Sequence, residues 1–218
     1  MQRAVILANG ELGDAELLRR RLDTLLPGAA IIAANGGSHR AGPLGLKLDL
    51  VIGDLDSIDP ALRDALSAAS VEMRRAPARK NETDLELALL YAVEQGAQNI
   101  VVVGALGGRL DMTLANILLL MHPRLRDVHV ELWTATQTAW LIRPPGGDIP
   151  GKPGDTLSLI PVGGHAQGVT TVNLEYPLAG EVLEHGPARG VSNVLAAGGA
   201  RVELREGTLL AIHTTGRA

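Results

Sequence analysis

The sequence predicts an α/β domain with a mostly parallel sheet, followed by a small β-sandwich domain. Before Trp133, short apolar runs alternate with segments of helical periodicity, which is the pattern of βαβ units whose sheet is covered on both faces. After Trp133 the helical periodicity ends, and Gly and Pro cluster over residues 143–147. Later segments alternate apolar and polar residues, as half-buried strands do. We therefore expect an αβα domain over residues 1–134 and a β-sandwich domain over residues 135–218.

The strands are predicted from these two patterns. The strands of the parallel sheet are expected at five apolar runs, residues 4–8, 31–34, 50–52, 100–103 and 128–132. In the second domain, residues 156–161 and 202–212 are predicted to form strands and hairpins.

The helices are predicted from apolar spacing and capping residues. Leu18, Leu22 and Leu25 recur at helical spacing and predict a first helix that stops before Pro27-Gly28. Three further helices are expected: one opening at Asp59-Pro60 and ending near residue 69, one capped by Asn81 and ending near Gly96, and one over residues 112–121.

Composition excludes several functional classes. The 218 residues are 46% hydrophobic and 20% charged, so the chain is expected to fold rather than stay disordered. The net charge is −4 and no Lys/Arg block is dense enough to follow a phosphate backbone, so no nucleic-acid partner is expected. The chain has no Cys, which excludes disulfides and thiolate chemistry and fits a reducing compartment. The sequence lacks a signal-like segment and an apolar stretch of about 18 residues, so no membrane association and a cytoplasmic location are expected.

The first candidate site residues are Asp54 and Asp56, which follow the apolar run of residues 50–52. Open α/β sheets bind ligands outside the carboxyl ends of their strands. Alternate carboxylates in such a loop suit Mg²⁺, which takes a few oxygen ligands and completes its shell with water and phosphate. The alternative is that both acids only satisfy backbone N–H groups in a turn before the next helix.

Two further groups lie at the predicted starts of the third and fourth helices. Lys80 precedes Asp84 by four residues, and Asp84 is either a site residue or a first-turn acid that complements the helix dipole. The glycines of residues 104–108 would let backbone amides approach a phosphate, which the donor fork of Arg109 could grip. Asp111 either adds a carboxylate or only caps the fourth helix.

The three acidic groups carry more information together than separately. They flank strands of one parallel sheet, so we expect them to converge on one edge of it. Crowded carboxylates raise each other's pKa unless a cation is present, and a divalent metal with phosphate chemistry removes that repulsion.

Sequence motifs of other catalytic and nucleotide-binding sites are missing. Residues 9–13 do not form the dinucleotide-binding glycine pattern, neither a P-loop nor a Gly-x-Ser-x-Gly motif occurs, and the six scattered histidines disfavour zinc.

Four segments of the first domain resemble motifs of the thiamine pyrophosphokinase family. Residues 34–40 are similar to its Asp-Gly-Gly-Ala-Asn-Arg segment, and residues 53–57 follow at the expected distance. Residues 80–85 resemble its Lys-Asp-x-Thr-Asp-Leu, and residues 104–111 its Gly-x-x-Gly-Gly-Arg-x-Asp. The second domain contains four segments similar to the family's β-domain motifs, at residues 158–161, 168–171, 174–178 and 189–193. The resemblance therefore spans nearly the whole chain.

The resemblance implies an enzyme that moves the terminal diphosphate of ATP onto the hydroxyl of thiamine, giving thiamine diphosphate and AMP with the help of Mg²⁺. It implies a nucleotide-binding catalytic domain, a thiamine-binding β-sandwich, and a homodimer whose sites lie between subunits. By matching position, the catalytic acids are expected to be Asp54, Asp56, Asp84 and Asp111, of which the first three would also hold the metal. The expected contacts to ATP and its phosphates are Asn9, Gly10, Asn35, Gly36, Gly37, Lys80, Thr83, Gly108 and Arg109. The expected contacts to thiamine are Tyr176, Ser192 and Asn193.

Physical chemistry agrees with this assignment at Tyr176, because thiamine is cationic and flat and an aromatic face suits such a ligand. The alternative for Tyr176 is an ordinary core or interface tyrosine.

Two residues depart from the family pattern. Asn35 stands where the family usually has Asp, and Met112 stands where many relatives have a polar residue.

Two other functions remain open at the level of sequence. An aspartyl phosphohydrolase would also use an Asp-x-Asp after a strand, as nucleophile and acid. The glycine and Arg109 cluster and the β-domain motifs disfavour that function. A non-catalytic nucleotide or thiamine sensor would explain Asn35, but the sequence retains all four key aspartates.

Overall fold

The computed structural model describes residues 1–77 and 79–217 and divides into two compact units, Met1–Ala135 and Thr136–Ala218. The predicted fold class, an α/β domain followed by a β-sandwich, is confirmed.

The first unit contains six strands and four α-helices among its described residues. The strands are β1 (Arg3–Leu7), β2 (Ala29–Ala34), β3 (Leu50–Gly53), β4 (Glu72–Arg75), β5 (Asn99–Val103) and β6 (His129–Trp133). The helices are α1 (Ala15–Leu22), α2 (Pro60–Ala68), α3 (Asp84–Glu94) and α4 (Leu110–Leu119), with short 3-10 helices at Asn35–Arg40 and Pro123–Leu125. The strands pair in the order β6-β5-β1-β2-β3-β4, and every pair is parallel.

The strand order places the site. From β1 the chain adds β2, β3 and β4 on one side, and then returns to place β5 and β6 on the other side of β1. The sheet therefore has a topological switch point between β1 and β5, where the loops after the two strands diverge and leave a crevice. Apolar side chains from the strands and from Leu18 and Leu22 of α1 form the core that fixes this edge.

Three features of the first unit correct the sequence-based expectations. Strand β4 was not predicted, because its residues Glu-Met-Arg-Arg carry no apolar run; it is an edge strand with largely exposed side chains. Helix α3 is capped by the Thr83 hydroxyl, which accepts the Glu86 N–H, and not by Asn81. Helix α4 begins at Leu110, so Asp111 lies in its first turn and is not its N-cap. The predicted Asp59 cap and Pro60 start of α2 are confirmed.

The described part of the second unit, residues 136–217, contains eight strands: β7 (Gln137–Ile142), β8 (Gly146–Ile149), β9 (Thr156–Pro161), β10 (Ala166–Val172), β11 (Ala179–Leu183), β12 (Asn193–Val194), β13 (Ala200–Glu203) and β14 (Leu209–Thr214). Antiparallel pairing gives the orders β12-β9-β14-β7 and β11-β10-β13-β8. Alternate residues of both sheets, such as Leu157, Leu159 and Val202, form one buried core, as in a β-sandwich.

The expectation of a hairpin over residues 202–212 is wrong in one respect. Strands β13 and β14 do not pair with each other, since β13 pairs with β8 and β10 while β14 pairs with β7 and β9. The turn at Gly207 carries the chain from one sheet of the sandwich to the other, a choice that apolar alternation alone does not specify. Within the described residues, no helix is long and apolar enough to cross a membrane.

Candidate active site

A cavity of about 660 Å³ opens at the switch point of the first unit. Its volume lies within the range of roughly 300–1,000 Å³ that is usual for small-molecule sites. Eight of the residues predicted to form the site line it: Asn9, Gly10, Asn35, Gly36, Thr83, Asp84, Gly108 and Arg109. The structure therefore brings predicted residues from the β1, β2 and β5 loops and from the start of α3 to the wall of one cavity.

Close backbone packing sets the floor of this cavity. The Gly10 N–H donates to the Gly104 carbonyl at 2.6 Å, and the Glu11 N–H donates to the Leu106 carbonyl at 2.8 Å. A Cβ at Gly10 would overlap the Leu106 and Gly104 carbonyl oxygens, so only glycine allows the two loops to meet. The predicted site residue Gly10 is thus required for the packing of these two loops.

Asp54, Asp56 and Asp84, called the acid triad below, meet around the amide group of Asn35. The Asn35 Nδ2 atom lies 2.8 Å from Asp54 Oδ1, 3.1 Å from Asp56 Oδ1 and 3.1 Å from Asp84 Oδ2. The orientation of the amide follows from these neighbours, because its oxygen in the same place would face three carboxylates. The structure therefore brings together the three acids that were predicted to hold a metal.

Lys80 and Gly53 complete the surroundings of Asp84. The Lys80 Nζ atom lies 2.6 Å from Asp84 Oδ1, and its side chain is 12% exposed. A Cβ at Gly53 would lie 2.7 Å from the Asn35 Cβ and 3.0 Å from Asp84 Oδ1, so the glycine at the end of β3 leaves room for both side chains. One ammonium and one amide thus offset the mutual repulsion of the triad.

Hydrogen bonding lowers the pKa of Asp56. The bond with Asp54 has the largest effect, followed by those from Asn35 and Ser57. The Ser57 hydroxyl donates to Asp56 Oδ1 at 2.9 Å. These bonds favour the ionised form of Asp56, which is the form that binds a cation.

The donor chemistry of this cluster fits magnesium. The three carboxylates of the acid triad supply hard oxygen ligands. Within residues 1–77 and 79–217, no three His, Asp or Glu side chains are spaced to hold a metal ion as they stand.

Asp111 does not join the triad. It forms an ion pair with Arg109 at 2.6 Å, and the two side chains are 65% and 75% exposed. This pairing lowers the pKa of Asp111, mainly through the Arg109 hydrogen bonds, and raises the pKa of Arg109. The expectation that all four acids converge is therefore met by three of them.

Several polar side chains of the cavity wall were not among the predicted site residues, and Arg40, Asn116 and Glu11 are three of them. Arg40 Nη2 donates to the Asn9 carbonyl at 3.0 Å, and Asn116 Nδ2 donates to the Ala105 carbonyl at 2.7 Å. Glu11 accepts the Gly108 N–H at 3.1 Å. Arg40 aligns with the final Arg of the family's Asp-Gly-Gly-Ala-Asn-Arg segment, so its position in that motif could have identified it. Glu11 and Asn116 gave no signal in the sequence.

The remaining predicted residues have defined local surroundings. Gly37 is buried in the 3-10 helix after β2, next to the Leu7 carbonyl. In the second unit, the Tyr176 N–H donates to Asn193 Oδ1 at 3.1 Å, while Asn193 Nδ2 donates to the Tyr176 carbonyl at 2.6 Å. Tyr176 is 66% exposed, and the Ser192 N–H donates to the Ser158 hydroxyl. Asn193 thus holds the backbone that presents the tyrosine.

Comparison with known proteins finds the same protein family in both units. The family model "Thiamin pyrophosphokinase, catalytic domain" matches residues 24–132, and "Thiamin pyrophosphokinase, vitamin B1 binding domain" matches residues 148–209. The thiamine pyrophosphokinase of Bacillus subtilis is 29% identical over 164 residues, which are 75% of this chain and 77% of that protein. Thiamine pyrophosphokinase 1 of Oryza sativa is 26% identical over 159 residues, 68% of this chain and 60% of the rice protein.

A solved structure extends the similarity over the full fold. The crystal structure of thiamine pyrophosphokinase from Bacillus subtilis superposes with a TM-score of 0.87 at 25% identity, covering 98% of this chain and 99% of the other. The fold, the acid triad and these relatives together define an enzyme that transfers diphosphate groups. The chain belongs to the thiamine pyrophosphokinase family.

Proposed function

We propose that this enzyme transfers the diphosphate group of ATP to the hydroxyl of thiamine and releases AMP, in an Mg²⁺-dependent reaction. The observation that carries the proposal is the acid triad beside the switch-point cavity, in a chain of this family. Crowded carboxylates next to a cavity of nucleotide-compatible size suit a substrate that arrives with a divalent metal.

The proposed reaction forms one bond and breaks one. The hydroxyl oxygen of thiamine attacks the β-phosphorus of ATP, and the bond between the β-phosphorus and the bridging oxygen to the α-phosphorus breaks. AMP leaves with that oxygen and its electron pair, and the hydroxyl proton passes to a base or to water. Such a transfer needs little covalent help from the protein, so positioning and charge neutralisation supply most of the rate.

The residues of the first unit have four proposed roles. Asp54, Asp56 and Asp84 would hold Mg²⁺, which when bound neutralises phosphate charge. Lys80 and Arg109 would add positive charge at the phosphates, after exchanging their present partners Asp84 and Asp111 for the substrate. The ATP contacts would come from the loops that carry Asn9, Gly10, Asn35, Gly36, Gly37, Thr83 and Gly108. Asp111, at the exposed start of α4, would lie near the thiamine hydroxyl.

The second unit would supply the thiamine contacts. The exposed ring of Tyr176 suits stacking against a flat cation, and Ser192 lies one residue before Asn193. Because Asn193 is occupied with the Tyr176 backbone, its proposed contribution is to position that ring.

We also propose a homodimer in which a second copy helps to complete the site. Helix α4 exposes Leu110, Leu114 and Leu118, which are 82%, 56% and 48% exposed, and Met121 extends the same stripe. Such an apolar helix face is typical of a buried interface. The stripe begins next to Arg109 and Asp111, so a partner seated on it would lie beside site residues.

The cytoplasm is the proposed compartment, since a chain without Cys does not need an oxidising environment.

Release of AMP tests the proposal. The purified protein is incubated with ATP, with thiamine and Mg²⁺ supplied together, singly or not at all. The proposal expects AMP and thiamine diphosphate only when both are present. Orthophosphate released without thiamine would favour a phosphohydrolase, and binding of both ligands without turnover would favour a sensor; either result contradicts the proposal.

A further inference from the structure

Asn35 occupies an unusual place for a neutral side chain. It follows β2 directly, is 5% exposed and has a φ of 44°, so the backbone at this residue is left-handed, a region that Asn tolerates better than most residues. Its amide nitrogen is within 3.1 Å of all three carboxylates of the acid triad and 3.5 Å from the Ser57 hydroxyl. The amide is therefore the common partner of the three acids.

The charges around this amide explain what the neutral group does. The triad brings three carboxyl groups together, and Lys80 supplies one positive charge to Asp84. A carboxylate in place of the Asn35 amide would add a further negative charge at a largely buried position. Like charges in such a place are strongly unfavourable unless a cation compensates them.

The same contacts oppose a metal. The Asn35 Nδ2 atom, which carries two hydrogens, lies within hydrogen-bonding distance of Asp54 Oδ1, Asp56 Oδ1 and Asp84 Oδ2, and a cation held by the triad would take these carboxylate oxygens. Metal binding would have to break these hydrogen bonds or redirect the carboxylates.

We infer that Asn35 is a positioning residue: its amide holds the acid triad in one arrangement before the metal binds, and by competing for the same oxygens it keeps the metal affinity low. The inference rests on the proposed Mg²⁺ site. It assigns to Asn35 a stabilising role in the metal-free protein that a carboxylate at this position would reverse.

Melting temperature and magnesium affinity, both measured without substrate, test the inference. Asn35→Asp preserves the shape of the side chain and adds a charge. In EDTA its Tm should be about 5 °C or more below that of the unsubstituted protein. Mg²⁺ should restore much of that loss, while it raises the Tm of the unsubstituted protein only slightly. Calorimetric titration should give a magnesium Kd at least about tenfold lower for Asn35→Asp.

Two further variants separate positioning from simple packing. Asn35→Ala removes the amide without adding a ligand, so its Mg²⁺-induced rise in Tm should fall between those of the unsubstituted protein and Asn35→Asp. Asn116→Asp makes the same substitution at another buried asparagine, whose amide contacts a backbone carbonyl and no carboxylate. Its loss of stability should be the same with and without Mg²⁺.

The outcomes distinguish this inference from the proposed function. Equal Tm in EDTA and equal Mg²⁺ affinity for the unsubstituted protein and Asn35→Asp would overturn the role of Asn35 and leave the proposed metal site standing. An Mg²⁺ response of Asn116→Asp as large as that of Asn35→Asp would also overturn it. The absence of any Mg²⁺ response in every variant would overturn both the inference and the proposed metal site.

Discussion

The ammonium group of Lys80 lies 2.6 Å from Oδ1 of Asp84, four residues further along the chain, and both side chains are largely buried. The ion pair holds a positive charge next to the carboxylates that we propose bind the metal. Because Asp84 would turn to the metal, Lys80 would become free to contact a phosphate.

Lys80→Gln is therefore expected to raise the KM for ATP and lower kcat, with a combined loss in kcat/KM of about a hundredfold. Steady-state kinetics with ATP as the varied substrate measures both constants. The control is Lys47→Gln, an exposed lysine outside the cavity, which should behave as the unsubstituted enzyme. Equal kinetics for the two variants would contradict the role given to Lys80.

Asp56→Asn should separate catalysis from folding. Asp56 is exposed and contributes one of several hydrogen bonds around Asn35, so the variant should fold and melt within a few degrees of the unsubstituted protein. Loss of a proposed metal ligand should lower kcat by about a hundredfold or more. Asp64→Asn, on the exposed face of α2, is the matched control. Near-normal turnover of Asp56→Asn would show that Asp56 is not part of the site.

Gly10→Ala tests the close approach of the β1 and β5 loops. A methyl group at this position would overlap the carbonyl oxygens of Leu106 and Gly104, so we expect a loss of at least about 2 kcal/mol in the free energy of unfolding. Gly42→Ala is the control, because a Cβ there meets no atom within 4 Å. Urea denaturation measures both variants. A Gly10→Ala protein as stable as Gly42→Ala would mean that the loops can separate without cost.

Asp155 should stabilise the second unit at neutral pH. Burial alone would raise its pKa, but hydrogen bonds from the Gly216 and Lys152 amides and from His213 outweigh burial and lower the pKa below the ordinary 3.8. A lowered carboxyl pKa gives stability that is present above the ordinary value and is lost as pH falls through the folded-state value.

Asp155→Asn should therefore lower the Tm at pH 7 by several degrees, and the difference from the unsubstituted protein should shrink as pH falls below 3.8. Melting curves over a pH series measure this difference. Asp148→Asn, whose side chain is 81% exposed, should show almost none. A difference that stays constant with pH would mean that the carboxylate charge at Asp155 contributes nothing.

Leu114→Glu tests the proposed dimer. A charge in the middle of the apolar α4 stripe should convert a dimer to a monomer, which size-exclusion chromatography with light scattering detects. Leu17→Glu, at a partly exposed leucine of α1, should leave the dimer intact. A monomeric unsubstituted protein, or dissociation by both substitutions, would contradict the interface on α4.

The parts of the fold that the sequence predicted are those where one local pattern decides the structure. The buried strands β1, β2, β3, β5 and β6 are apolar runs, and the start of α2 carries both an N-cap and a proline. Strand β4 could not be recognised, because an exposed edge strand needs no apolar side chains. The sequence predicts a hairpin at Gly207, but the chain passes there from one sheet to the other, because the choice between two sheets depends on contacts distant in sequence.

The candidate site shows the same limit. The position of Asp54, Asp56 and Asp84 at strand ends and at a helix start was sufficient to predict that they meet. The position of Asp111 was not sufficient to predict its surroundings, because Asp111 pairs with Arg109 at the exposed start of α4 and does not join the other three acids. The central place of Asn35 could not be derived, since sequence indicates which residues end a strand and not which side chain lies between three others.

The fate of each phosphate of ATP tests the central proposal most directly. ATP carrying radioactive phosphorus at the α or at the γ position is incubated with thiamine, Mg²⁺ and the enzyme, and the products are separated. Diphosphoryl transfer predicts the γ label in thiamine diphosphate and the α label in AMP. The γ label in free orthophosphate, with the α label in ADP, would contradict it.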